Sequence, residues 1–229
     1  MGRIEYKSHD RFLLAVDCII FGFDGNGLKA LLVRRALEPE IGKWSLMGGF
    51  AKNDESVDQA AERILFTLTG LEKIYMEQLH CFGDIGRDPG GRVVSVAYFA
   101  LIKIDESSAE LLETHYAKWV DLRNLPALVF DHKQMIRLAK ERLQQKVSNH
   151  PIGFELLPDK FTLQQLQGLY EAIFETSFDK RNFTRKILSL GILQRLDEKE
   201  RTSSKKGAFY YVFDKKKYKQ LEHEGIKLI

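Results

Sequence analysis

The segment GGFAKNDESVDQAAERILFTLTGL, from Gly48 to Leu71, constrains the fold of this chain more than any other stretch. A glycine pair and a short polar run lead into a helix whose apolar residues Val57, Ala60, Ala61, Ile64, Leu65 and Leu68 recur at spacings of three and four. That spacing places them on one face, which must be buried against another layer. Asp54, Glu55, Asp58 and Glu62 fall around the first turns, where carboxylates complement the positive end of the helix dipole. A helix with one apolar stripe cannot stand alone, so the flanking sequence has to supply a sheet for it.

The flanks supply one. FLLAVDCIIFGF reads as a strand, DGNG (Asp24 to Gly27) as a tight turn, and LKALLVRR as the returning strand of a hairpin. RVVSVAYFALIKI, Arg92 to Ile104, reads as a further strand after the turn RDPGG, and AKWVDL as one more. A helix is expected over His132 to Lys146, and Pro151 and Pro158 oppose its continuation. A domain boundary is therefore placed there, giving residues 1–150 and 151–229. In the 229 residues no run of eighteen apolar residues occurs, and the first residues lack the order of a signal peptide, so a cytoplasmic protein without a membrane partner is expected. Cys18 and Cys81 lie in apolar contexts without a CxxC or CxxH partner, which predicts reduced, buried thiols and no zinc site.

The second part changes character. Thr162 and Gln165 have the spacing of a capping box ahead of a helical stripe of Leu163, Leu166, Leu169, Tyr170, Ile173 and Phe174. Asp179 can cap a second helix containing Phe183, Ile187 and Leu188, and Gly191 can end it. Two strand-like segments, ILQRL and AFYYVF, follow, joined by the basic tip DEKERTSSKKG. Helices followed by a hairpin with a basic tip describe a winged helix.

Charge agrees with that description. Residues 1–150 carry 20 Lys and Arg against 21 Asp and Glu, whereas residues 180–219 carry 13 against 4. A basic block can be a plain solvated face, but a helix, a hairpin and clustered charge together are what a phosphate backbone requires. On the second helix, Lys180, Arg181, Asn182, Thr184, Arg185 and Lys186 are the candidate DNA-binding residues, with Arg suited to guanine edges, Asn to adenine, and Lys and Thr to phosphates. Arg201, Lys205 and Lys206 occupy the wing tip, where sequence-independent contacts are expected.

The Gly48–Leu71 spacing is similar to the Nudix box, in which a glycine loop enters a helix whose glutamates hold divalent cations against a pyrophosphate. Glu55 follows Gly49 after five residues and Arg63 follows Glu55 after seven, but positions 64, 67 and 68, where acids would stand, hold Ile64, Thr67 and Leu68. Hard cations need several oxygen ligands, so the spacing survives without its metal chemistry. Asp58 and Glu62 remain on one face, as helix-dipole partners or as a relocated metal site.

With DCIIFGF, LLVRR, GKWSLMGGF, DESVDQAAERIL, TGL, RDPGGRVVSVAYFAL, LPALVFDH and PIGFELLP in this order, the chain resembles the Nudix-related transcriptional regulators of the NrtR-like family, and through WSLMGGF and PIGFELLP their arabinose-responsive (AraR) type. The resemblance implies a mixed α/β (α+β) protein: a Nudix-like α/β/α sandwich followed by a winged helix-turn-helix domain. It further implies a homodimeric repressor that binds operator DNA and senses a small effector without hydrolysing it, with no cofactor and no bound metal. A pentose such as L-arabinose, in control of sugar catabolism genes, is the expected effector. The alternatives are ADP-ribose in an NAD-metabolism regulator, an active Nudix pyrophosphohydrolase, and an interaction protein whose basic domain meets a protein partner. The expected effector residues are Arg34, Arg35, Trp44, Gly48, Gly49, Arg87, Asp88 and Arg92, with Trp44 able to serve either the core or the ligand wall.

Overall fold

The computed structural model describes residues 9–70, 74–104, 116–201 and 206–221. Its first part is a seven-stranded sheet: β1 (Leu13–Phe23), β2 (Leu28–Arg34), β3 (Trp44–Ser45), β4 (Met47–Phe50), β5 (Tyr75–Phe82), β6 (Val93–Leu101) and β7 (Ala117–Asp121). The order is β3-β2-β1-β6-β5, with β7 beside β2 and β4 beside β1. The turn expected at Asp24–Gly27 closes the β1–β2 hairpin, with the Asp24 carboxylate accepting from the amides of Asn26 and Gly27. β1 runs parallel to β6 from Leu13 to Phe21. On its other edge it forks, pairing through Phe21–Phe23 with β2 and through Ala15–Cys18 with β4. The space beside this fork is where the glycine loop sits.

Both faces of β1 and β6 are covered, as their near-continuous apolar sequences require. On one face Val16, Cys18 and Ile20 meet Ala60, Ala61, Ile64 and Leu65 of α1 (Val57–Thr69). On the other, Ile19, Phe21 and Phe99 meet Met135, Ile136 and Ala139 of α2 (His132–Asn149). α1 begins at a capping box between Ser56 and Gln59 and ends at Gly70, whose φ of 65° is the left-handed C-cap. α2 runs three residues past the expected Lys146, and a 3-10 turn, Pro151–Leu156, follows it.

The second part holds β8 (Phe161–Thr162), α3 (Leu163–Phe174), α4 (Lys180–Ser189), β9 (Leu193–Glu200), β10 (Ala208–Phe213) and α5 (Lys215–Leu221). The predicted caps form: Thr162 and Gln165 exchange hydrogen bonds at the start of α3, and the Asp179 side chain accepts from the amide of Asn182. β9 and β10 make the wing hairpin, and β8 joins the far edge of β10.

One apolar cluster runs through both parts. Leu143 and Val147 of α2 are fully buried in the same core as Leu166, Leu169, Tyr170 and Ile173 of α3. Polar ties lie beside it: Gln144 donates to the carbonyl of Ile173 at 2.8 Å and Lys140 pairs with Glu175 at 2.6 Å. One expectation is corrected here. Cys18 is buried, its thiol pushed up to about 12 by desolvation, but Cys81 is exposed. A register shift between Gln78 and His80 on edge strand β5 turns two successive side chains outward. In α4, Phe183 and Ile187 fill the inward face and Leu188 is exposed.

Leu143→Ala should destabilise the protein by about 2–5 kcal/mol. Trp44 and Trp119, the only tryptophans, lie in the first part, so their fluorescence follows it while far-UV circular dichroism follows the whole. Because the core is shared, both signals should move to a lower midpoint together. A shift in one signal alone would mean that the two parts unfold independently.

Candidate functional site

A cavity of about 380 Å³ opens beside the fork in β1, between β4, the end of β2 and the loop before β6. Its floor is a buried charged network. Asp17 accepts from Ser95 Oγ at 2.6 Å, and Arg87 forms two hydrogen bonds with Asp131, at 2.7 and 2.8 Å, while lying 3.6 Å from Asp17. A guanidinium only 4% exposed must have such partners, since an unpaired buried charge is strongly unfavourable. Gly48 is required at this point of the wall: a Cβ there would stand 2.3 Å from the Asp17 carboxylate oxygen.

His132 completes the floor. Its Nδ1 accepts from the amide of Leu46 at 3.0 Å, so the proton of the neutral ring sits on Nε2, 3.7 Å from Asp17. Burial lowers its pKa below the usual 6.5, which Asp17 and Asp131 oppose and Arg87 and Arg35 reinforce. Just before it, Phe130 holds φ 51°, a left-handed conformation that costs a side-chain-bearing residue about 1–2 kcal/mol. Its ring packs edge-on against His132 and under the Arg35 guanidinium.

Six of the expected effector residues, Arg34, Arg35, Gly48, Gly49, Arg87 and Asp88, line the cavity. Arg35 is held by the Pro39 carbonyl at 2.6 Å, and Asp88 folds its own loop by accepting from the amide of Gly90. Trp44 and Arg92 lie outside the lining. Trp44 packs on the core from β3, with the Arg34 guanidinium 3.9 Å above its ring. Arg92 donates to the Gly83 and Asp84 carbonyls and stacks on Phe12. Sequence reading passed over Asp17, Ser95, Phe130, Asp131 and His132. A lone carboxylate in AVDCIIFGF and a lone serine in VVSVAYF were the available signals, because a polar group in a doubly buried strand needs a partner.

On the box helix, Ile64 is a core residue, and its side chain stands 3.3 Å from where a Cβ on Gly49 would be. Thr67 bonds back to the Arg63 carbonyl at 2.8 Å, and the Leu68 side chain lies outside the described residues. Two of the remaining acids are engaged: Glu55 pairs with Arg63, which lowers its pKa to about 2, and Asp58 accepts from the Tyr98 hydroxyl, while Asp54 and Glu62 are exposed.

In the second part, α4 presents Lys180, Arg181, Asn182, Arg185 and Lys186 to solvent, with Thr184 partly covered. Arg185 donates to Asn182 at 3.0 Å, which ties these two side chains together across one turn. Arg201 and Lys206 are exposed at the wing, and Lys205 lies outside the described residues. Within the wing, Arg195 and Lys199 flank the Phe209 ring at 4.6 and 4.5 Å. Among the described residues no helix is long and apolar enough to cross a membrane.

A Nudix fold with a side cavity, joined through α2 to a winged helix, is the class that this geometry defines. Family models agree: the NUDIX domain matches residues 11–139, and the NrtR DNA-binding winged helix domain matches residues 153–213. The chain is 32% identical over 217 residues to the "ADPR responsive transcriptional repressor NtrR" of Acinetobacter baylyi, spanning 93% of this chain and 86% of that protein. It superposes on the crystal structure of Shewanella oneidensis NrtR complexed with a 27mer DNA with a TM-score of 0.77 at 32% identity, covering 87% of this chain and 93% of that one. The NUDIX domain of that protein, solved with ADP ribose, is 36% identical with a TM-score of 0.52, covering 61% of this chain and 94% of the domain. The chain belongs to the NrtR-like family of Nudix and winged-helix proteins.

The depressed His132 pKa fixes the sign of a pH effect. Unfolded, the ring takes a proton near pH 6.5; folded, it takes one only at lower pH. Its contribution is therefore complete above 6.5 and is lost as pH falls toward the folded value, by at most about 1.4 kcal/mol per pH unit. His132→Asn keeps an acceptor for the Leu46 amide without titrating. In urea unfolding from pH 7.5 to 5 it should lose less stability than wild type, whereas parallel slopes would show that His132 takes its proton at the same pH folded and unfolded.

Proposed function

We propose that this protein is a transcriptional repressor that binds operator DNA through residues 151–229 and ADP-ribose through residues 1–150. The observation carrying the effector assignment is the convergence of Arg34, Arg35 and Arg87 on one cavity with apolar walls. Guanidinium groups match phosphate oxygens in charge and geometry, and a diphosphate uses several of them at once. A pentose brings no charge to such a site, and the Acinetobacter relative is described as responding to ADP-ribose, so ADP-ribose replaces L-arabinose as the effector favoured here. The cavity volume lies within the range of small-molecule sites, about 300–1,000 Å³. Phe130 offers an aromatic face, and Asp17 and Asp88 offer acceptors for hydroxyls.

Hydrolysis is not part of the proposal, because Ile64 and Thr67 supply no carboxylate where the box would need one, and Glu55 and Asp58 are committed to Arg63 and Tyr98. With magnesium or manganese, ADP-ribose should be recovered intact. Steady product release that disappears in Asp58→Ala or Glu62→Ala would overturn this.

For DNA, α4 supplies base contacts through Arg181, Asn182 and Arg185, with phosphate contacts from Lys180, Thr184 and Lys186. The wing residues Arg201, Lys205 and Lys206 add sequence-independent contacts, and a homodimer would read two half-sites. Arg181→Ala or Arg185→Ala should lower operator affinity by about 1–3 kcal/mol more than affinity for random duplex. Arg201→Ala with Lys206→Ala should weaken both and flatten the salt dependence by about one unit per lost contact. Saturating ADP-ribose should weaken operator binding by about 1–3 kcal/mol. Fluorescence anisotropy on both duplexes measures all three, and equal losses for every variant on both duplexes would refute the α4 assignment.

A further inference from the structure

Helix α2 touches both proposed sites. It is continuous from His132 to Asn149, 18 residues, and so spans about 27 Å. Its start is at the cavity: His132 and the preceding Phe130 line it, and the N-cap residue Asp131 holds Arg87. Its far half is in the winged-helix core, through Leu143, Val147 and the Gln144 bond to Ile173. A packed helix moves as a rod, so a displacement at one end must be felt at the other.

Asp131 is the residue that sets the near end. Its backbone carbonyl accepts from the amides of Gln134 and Met135 and so starts the helix. An aspartate at this position ordinarily caps the helix with its side chain, but Asp131 makes no such bond. Both its carboxylate oxygens go to Arg87 instead. The residue before it, Phe130, is held at positive φ, and a strained backbone persists only while its surroundings fix it. Arg87 itself faces the cavity. An anion entering there competes directly with Asp131 for the same guanidinium.

We propose that the Arg87–Asp131 ion pair is a latch that fixes the start of α2 in the DNA-binding arrangement, and that an anionic ligand drawing on Arg87 opens it. Released, Asp131 can turn to cap the helix, Phe130 can leave the left-handed region, and α2 shifts against α3. Asp131 is thus a positioning residue that couples the two sites. The identity of the anion rests on the ADP-ribose reading, whereas the latch does not.

The test is Asp131→Asn in the full chain, which keeps the shape and removes the charge that holds Arg87. The duplex is one selected by the wild-type protein from a random-sequence pool. Without ligand, the variant should bind that duplex about 5- to 150-fold more weakly, the usual span of a coupling between two sites. Its affinity for ADP-ribose, measured by calorimetry, should rise, because the cost of opening is already met. Opposite movement of the two affinities is the signature, since a merely structural role would lower both. A folded variant whose operator affinity stays within about twofold of wild type, or one that loses both affinities, overturns the latch. If Asp131→Asn shows no cooperative melting, Arg87→Lys carries the operator measurement, because lysine keeps the charge but loses the two-pronged bond. It should again weaken operator binding without ligand, and unchanged binding overturns the proposal. If the wild-type protein binds no ADP-ribose, the effector reading fails separately, and an unchanged ligand-free operator affinity in Asp131→Asn still overturns the latch.

Discussion

Strand β1 has no exposed face from Val16 to Phe23, and the rest of the architecture answers that constraint. A strand in this position needs hydrogen-bonding partners on both edges and apolar cover above and below. β6 fills one edge along the length of β1, while β2 and β4 share the other. α1 covers one face and α2 the other. The fork between β2 and β4 leaves a gap at the edge, and the glycine loop and the arginines at the end of β2 surround it. The cavity is thus a by-product of how the central strand is paired.

The floor of the cavity shows what the fold tolerates for function. Asp17, Arg87, Asp131 and His132 are all poorly exposed, and a set of apolar residues of similar volume would serve stability as well or better. The fold accommodates them because each of these charged or polar groups has a partner within the network. In the box helix the exchange runs the other way: Ile64 has joined the α1 core, so the helix that elsewhere carries metal ligands here contributes packing. The same backbone frame carries either chemistry, because only side chains on one helix face need to change.

The continuous core through α2 decides how the two parts relate. Short linkers commonly leave domains free to move. Here Leu143, Val147, Leu169 and Tyr170 are buried together, so the winged helix is seated on the same helix that begins at the cavity. A chain with separate cores could bind both partners without coupling them.

The sequence by itself determined the local elements. Turn chemistry at Asp24–Gly27, capping residues at Thr162 and Asp179, and apolar periodicity in α1, α3 and α4 act over a few residues and were legible without a fold. The basic stripe on α4 was legible for the same reason, since helical spacing alone brings Arg181, Asn182 and Arg185 together. Cys81 was misread because a bulge in β5 is invisible in composition, and Trp44 stayed ambiguous because its strand has two usable faces. What only the tertiary structure decided was the cavity floor. Asp17 meets His132 across 115 positions of sequence and Arg87 meets Asp131 across 44, and no local rule brings such residues into contact. Their pairing follows from strand order and from where α2 packs on the sheet, which are long-range outcomes of burying β1 on both faces.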